Sequence, residues 1–129
     1  MKLTLWLLVG GLFCALLFSC GGRTTVSGGS CPITPFVVPS TATANHMAAP
    51  PGNEVQFSTS FKVNGPGICP LIVTAGSWTT SDAVNTSISN QPATQGLATC
   101  LNATPSPATI GYTGEISGQP FTPATLTCE

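Results

Sequence analysis

From about residue 31 onward, hydrophobic and polar side chains alternate in short runs. The clearest run covers residues 54–63. There Val55, Phe57, Thr59, Phe61 and Val63 fall on one face of an extended chain, and Glu54, Gln56, Ser58, Ser60 and Lys62 on the other. A period of two predicts a strand with one buried face and one wet face. Shorter runs predict strands at Ile33–Val38, ended by Pro39, and at residues 41–45, 77–80, 84–89, 97–101, 109–113 and Ala124–Cys128. Residues 71–74 read either as a short strand or as part of a long loop. Turn chemistry separates the runs: Pro50-Pro51-Gly52-Asn53, Asn64-Gly65-Pro66-Gly67 and Pro105-Ser106-Pro107. Proline and β-branched residues recur too often for helices, and no helical apolar stripe outlasts two turns. Seven to eight short strands at this spacing predict an all-β fold, an antiparallel β-sandwich of about a hundred residues.

The first residues follow another pattern. Lys2 precedes an apolar run over residues 3–18. That run is short for a bilayer span, which needs about 20 residues, and reads as an export signal removed in the mature protein. It closes on Leu17-Phe18-Ser19-Cys20, followed by Gly21-Gly22. These residues resemble the signal of a bacterial lipoprotein. The resemblance implies cleavage before Cys20 and fatty acids, palmitate among them, on that cysteine. Phe18 is bulkier than the small residue usual at its position. Ordinary cleavage after Gly21 and a retained signal anchor are the alternatives. One acyl chain anchors only marginally, whereas several on one cysteine hold firmly. The chain thus divides into a signal peptide (1–19), a lipidated cysteine with a Gly/Ser/Thr tether (20–30) and a domain (31–129). The expected partner is a membrane, through lipid on Cys20. Gly21 rather than aspartate after that cysteine points to the outer membrane of a Gram-negative cell envelope.

Composition narrows the function classes. Without the signal about 110 of the 129 residues remain, one domain in size. Only 5% of the chain is charged, with Lys+Arg 3 and Asp+Glu 4. Phosphate recognition needs clustered cations, so nucleic acid is not an expected partner. The chain is also too apolar for disorder. Of the 6 cysteines, Cys14 leaves with the signal and Cys20 takes the lipid. Cys31, Cys69, Cys100 and Cys128 remain, an even set suited to two disulfides in an oxidising compartment. None forms a Cys-x-x-Cys pair, which argues against zinc and dithiol redox chemistry.

Candidate chemistry is sparse. Trp78 reads as core, and Tyr112 as core edge with its hydroxyl hydrogen-bonded. His46, the only histidine, sits in Asn45-His46-Met47 beside a proline turn. A triad would need it together with a serine and Asp82, the only aspartate, and no Gly-x-Ser-x-Gly context is present. Asp82 reads as a turn residue. Glu54, Asp82 and Glu115 are too spread for calcium. No catalytic residue, metal or cofactor is expected. Asn85-Thr86-Ser87 and Asn102-Ala103-Thr104 match the glycosylation sequon, a chance match in a bacterial lipoprotein. Residues 122–129 are a candidate exposed edge strand.

A second resemblance covers nearly the whole mature chain. Val38-Pro39-Ser40-Thr41-Ala42-Thr43 opens a series of six short motifs. It continues with Pro51-Gly52-Asn53-Glu54-Val55-Gln56-Phe57-Ser58, Trp78-Thr79-Thr80-Ser81-Asp82 and Gly96-Leu97-Ala98-Thr99. Ala108-Thr109-Ile110 and Ala124-Thr125-Leu126-Thr127 complete it. In this order they resemble the group 2 bacterial Ig-like domains of intimin- and invasin-type surface proteins. The resemblance implies an Ig-like sandwich used for spacing or adhesion, with a structural or interaction role and no enzymatic one. Members commonly occur in tandem, whereas this chain holds one copy, which argues against a long stalk. The antibody-type bridge is missing, because Ile110 and Tyr112 stand where its second cysteine would be. Strand positions in the family imply the pairs Cys31–Cys69 and Cys100–Cys128, favoured over the two other connectivities. A small glycan- or peptide-binding module is the alternative function, and it requires an exposed aromatic. An envelope hydrolase comes third.

Overall fold

Prolines and turn residues cut this chain into short extended pieces, and one apolar face on each piece drives them to stack. The computed structural model describes residues 32–65 and 69–129. The export signal, Cys20, the tether and Cys31 lie outside the described residues. Twelve strand segments occur in order: β1 (Ile33–Val38), β2 (Thr41–Ala44), β3 (Glu54–Gln56), β4 (Ser58–Val63), β5 (Val73–Thr74), β6 (Trp78–Thr80), β7 (Thr86–Ile88), β8 (Leu97–Cys100), β9 (Ala108–Tyr112), β10 (Glu115–Ile116), β11 (Gln119–Pro120) and β12 (Ala124–Cys128). The described residues contain no helix, and so none long and apolar enough to cross a membrane. The protein is all-β.

One layer of the sandwich is β2-β12-β9-β6. The other combines β3-β8-β7 with the β1-β4 pair, because β3 and β4 are one stretch of chain interrupted at Phe57. A small sheet, β11-β10-β5, lies beside β1. Pairing is antiparallel except between β2 and β12, which run parallel from Thr41 opposite Thr125 to Ala44 opposite Cys128. The chain leaves β4's partner strand at Pro39-Ser40 and crosses to the other layer. That crossing covers β12, which lies between β2 and β9 and is not the edge expected from its position in the chain.

Alternation works as predicted where both layers are present. Along β12, Ala124, Leu126 and Cys128 are buried and Thr125 and Thr127 half-buried. Val37, Phe57, Ala98, Ile110 and Leu126 are fully enclosed, and Trp78 is nearly so. Cys100 on β8 is bonded to Cys128 on β12, with 5.6 Å between their Cα atoms. This bond staples one layer to the other through the core. With a sequence separation of 28, it contributes about 3.5 kcal/mol in the chain-entropy account. Cys69 is also disulfide-bonded.

Two segments differ from the sequence reading. The long run over residues 54–63 is buried on its apolar face only as far as Phe57, and Phe61 and Val63 are 40% and 39% exposed. Period-two spacing says which side chains share a face, not whether a second layer covers it. The hairpin of β10 and β11 was not expected. It turns on Ser117 (φ 51°) and Gly118 (φ 76°), both left-handed, as a two-residue hairpin turn requires.

Replacing both Cys100 and Cys128 with Ala should lower unfolding stability by about 2–5 kcal/mol. In a domain of this size that is a melting temperature lower by about 10 °C or more, measured by thermal denaturation under non-reducing conditions.

Candidate functional site

The interruption at Phe57 creates a cleft. The Phe57 amide donates to the Gly96 carbonyl at 2.9 Å. The Gln56 side-chain amide donates to the Phe57 carbonyl and to the Gln95 carbonyl, both at 2.8 Å. A side chain thus takes the carbonyl that the next ladder bond would have used. Strand β8 begins only at Leu97, so β4 continues without it. Beside the edge of β4 that β8 leaves open lies a cavity of about 180 Å³, lined by Gln56, Phe57, Ser58, Thr59, Trp78, Gln95 and Tyr112.

Gly96 makes the geometry possible. Its φ of +78° suits glycine, and a Cβ there would strike the Phe57 carbonyl oxygen and press on Trp78. Trp78 is held along its backbone by Asn90. The Trp78 amide donates to Asn90 Oδ1 at 2.7 Å, and Asn90 Nδ2 donates to the Trp78 carbonyl at 3.1 Å. Tyr112 stands between two rings. Its centroid lies 5.2 Å from Trp78 in a tilted arrangement and 5.3 Å from Phe121, edge to face. Such pairs contribute about 0.5–1.5 kcal/mol each beyond area burial. The Tyr112 hydroxyl accepts a hydrogen bond from the Gly76 amide at 3.0 Å. Trp78 is buried in the core and Tyr112 is half-buried at its edge. The cleft lining combines the aromatic residues Phe57, Trp78 and Tyr112 with Gln56, Ser58, Thr59 and Gln95. Gln56, Gln95 and Gly96 escaped the sequence reading, although Gln95-Gly96 before an apolar run is a turn signal.

The other singled-out residues stay apart. His46 Nδ1 is hydrogen-bonded to the main-chain oxygen of Glu129, which also accepts from the His46 amide at 2.9 Å. Asp82 instead organises its own turn. Its carboxylate accepts from Asn85 Nδ2 at 2.8 Å and from the Asn85 amide at 3.2 Å. Its carbonyl receives the Thr86 amide and hydroxyl. Thr86 is wholly buried, and its hydroxyl also meets that of Thr80 at 2.6 Å. Each group has a structural partner, and the histidine and the aspartate are not joined. Among the described residues no group of three His, Cys, Asp or Glu could hold a metal. The hydrogen bond from the Asn85 side chain, aided by the amides of Asn85 and Val84, holds the Asp82 carboxyl below the usual carboxylate range, against some desolvation.

No protein-family model matches the sequence, and no curated protein does.

Gly96→Ala should cost about 2–3 kcal/mol, from left-handed strain and the collision with Phe57, read by urea denaturation. Asp82 binds its proton less readily folded than unfolded. Its contribution to stability is therefore complete above the unfolded carboxylate pKa of about 3.9 and is lost as pH falls through the lower folded value. The stability gap between the native protein and Asp82→Asn should be constant near neutrality and narrow below about pH 4, measured by urea denaturation across pH.

Proposed function

We propose that the chain is an Ig-like module carried at the bacterial cell envelope on a lipid at Cys20, with a structural or interaction role and no catalytic one. The strand order supports this reading most directly. Taken together, β1, the β3/β4 run, β8 and β7 follow the order A-B-E-D of an Ig sandwich, and β6, β9 and β12 follow C-F-G. The parallel strand β2 is then the part of the first strand that changes layers at Pro39. The Cys100–Cys128 bond joins the E and G positions, an inter-sheet staple in a place other than the antibody-type B–F bridge. The lipid anchor rests on the Leu17-Phe18-Ser19-Cys20 signal. The partner would be an envelope protein or glycan, met through uncharged contacts that depend little on salt.

The cleft beside Trp78 is the one feature that favours a small glycan- or peptide-binding module instead. The buried Trp78 and the engaged Tyr112 hydroxyl weigh against it.

Replacing Cys20 with Ser should move the protein from the membrane fraction to the soluble envelope fraction. Fractionation followed by immunoblotting reads the outcome, and unchanged membrane retention would contradict the anchor.

A further inference from the structure

Three consecutive apolar residues, Leu71, Ile72 and Val73, are 46%, 69% and 66% exposed. Monomeric soluble proteins rarely display a run of this kind without a use for it. The fold pins it in place by hydrogen bonds. The Ser117 amide donates to the Ile72 carbonyl at 2.7 Å, the Ile72 amide donates to Ser117 Oγ at 3.3 Å, and Ser117 Oγ donates to the Pro70 carbonyl at 3.2 Å. Val73 pairs with Ile116 on β10. The backbone is thereby satisfied while the side chains stay outside.

This run lies at the end of the domain where the chain enters. Ile33, the first residue of β1, pairs with Val63, the last of β4. The Asn64 amide donates to the Pro32 carbonyl at 2.9 Å. The parallel bridge between Phe36 and Thr122 sets the segment after the Ser117-Gly118 turn alongside β1. Following both strands backward brings that turn, with Pro70 and Ile72 attached, to the Pro32 end. Exposed Phe61 and Val63 flank the same pole. The charged side chains on these elements are Lys62 on β4 and Glu115 on β10. The pole is therefore apolar and nearly free of charge.

We infer that this pole is a membrane-docking face, on which Phe61, Val63, Leu71, Ile72 and Val73 rest against lipid beside the anchored Cys20. The inference rests on the lipid anchor proposed above. The stretch of chain between Cys20 and Pro32 selects lipid over other apolar partners. Even fully extended it reaches no more than about 40 Å, so the anchor holds the domain at high effective concentration at the bilayer, and the Pro32 pole is the end joined to it by the chain. The opposite pole offers a control. Val84 is 77% exposed, beside Asn85 and Leu101 at the Cys100–Cys128 end.

Depth-dependent quenching tests the inference. The lipidated mature protein, which begins at Cys20 and keeps Trp78 as its one native tryptophan, is purified from membranes and reconstituted into phosphatidylcholine vesicles containing brominated lipid. Ile72→Trp and Val84→Trp are compared, with buried Trp78 as the common background. Both substitutions lie at exposed positions, and retained Cys100–Cys128 bonding checks the fold. The expected result is at least twofold stronger quenching for Ile72→Trp than for Val84→Trp. Equal, weak quenching of both in protein that stays on the vesicles through Cys20 overturns the docking face and leaves the anchor standing. Protein that fails to remain with vesicles at all overturns the anchor and the docking face together. Protection of Ile72→Trp that follows protein concentration rather than brominated lipid assigns the pole to a second copy and also overturns the inference.

Discussion

The structure depends on one covalent contact across its core, the bond between Cys100 and Cys128. The strands are three to six residues long in most cases, and charges are almost absent. Ion pairs cannot hold such a domain, and each strand alone buries too little to stay folded. What remains is stacking of two apolar faces, with Phe57, Ala98 and Cys100 on one side and Ile110, Leu126 and Cys128 on the other. A cystine between β8 and β12 restrains the unfolded chain at one strand of each layer. The aromatic series Trp78, Tyr112 and Phe121 extends the core towards the other pole.

A second constraint follows from Gly96. Because β8 starts immediately after it, the run over residues 54–63 has β8 along one edge for only three residues, while β1 pairs along residues 58–63. The edge that β8 leaves open borders the cleft beside Trp78, and further along the run Phe61 and Val63 are exposed. The Cys128 pole is closed by hydrogen-bonded loops, with His46 on Glu129 and Thr104 on Cys128. Apolar side chains are exposed at both ends, Phe61, Val63 and Ile72 at the Pro32 pole and Met47, Val84 and Leu101 at the Cys128 pole.

Much of the fold was legible in the sequence, for reasons that also explain the exceptions. β8, β9 and β12 are read easily because the facing layer covers one side of each and converts their alternation into burial. The end of the run at residue 63 alternates equally well but has no second layer, and one strand's pattern holds no information about its neighbours. β10 and β11 are too short to show a period, although Ser117-Gly118 is the turn such a hairpin needs. The parallel partner of β12 lies more than eighty residues earlier in the chain, so an interior strand looked like an edge. At the candidate site, the roles of Trp78, Tyr112 and Asp82 followed from residue type and context. Gln56 did not, because its side chain caps the Phe57 and Gln95 carbonyls at a strand break that only the tertiary structure contains.

The central claim is that the two sheets fold as one unit through their covalent staple. Residue-resolved amide hydrogen exchange on the oxidised and the selectively reduced protein tests it most directly. The account predicts that Leu126 and Cys100 are equally protected when oxidised, and that breaking the Cys100–Cys128 bond lowers both by the same large factor. Protection at either strand that survives reduction unchanged, or two sheets exchanging at independent rates in the oxidised protein, would contradict it.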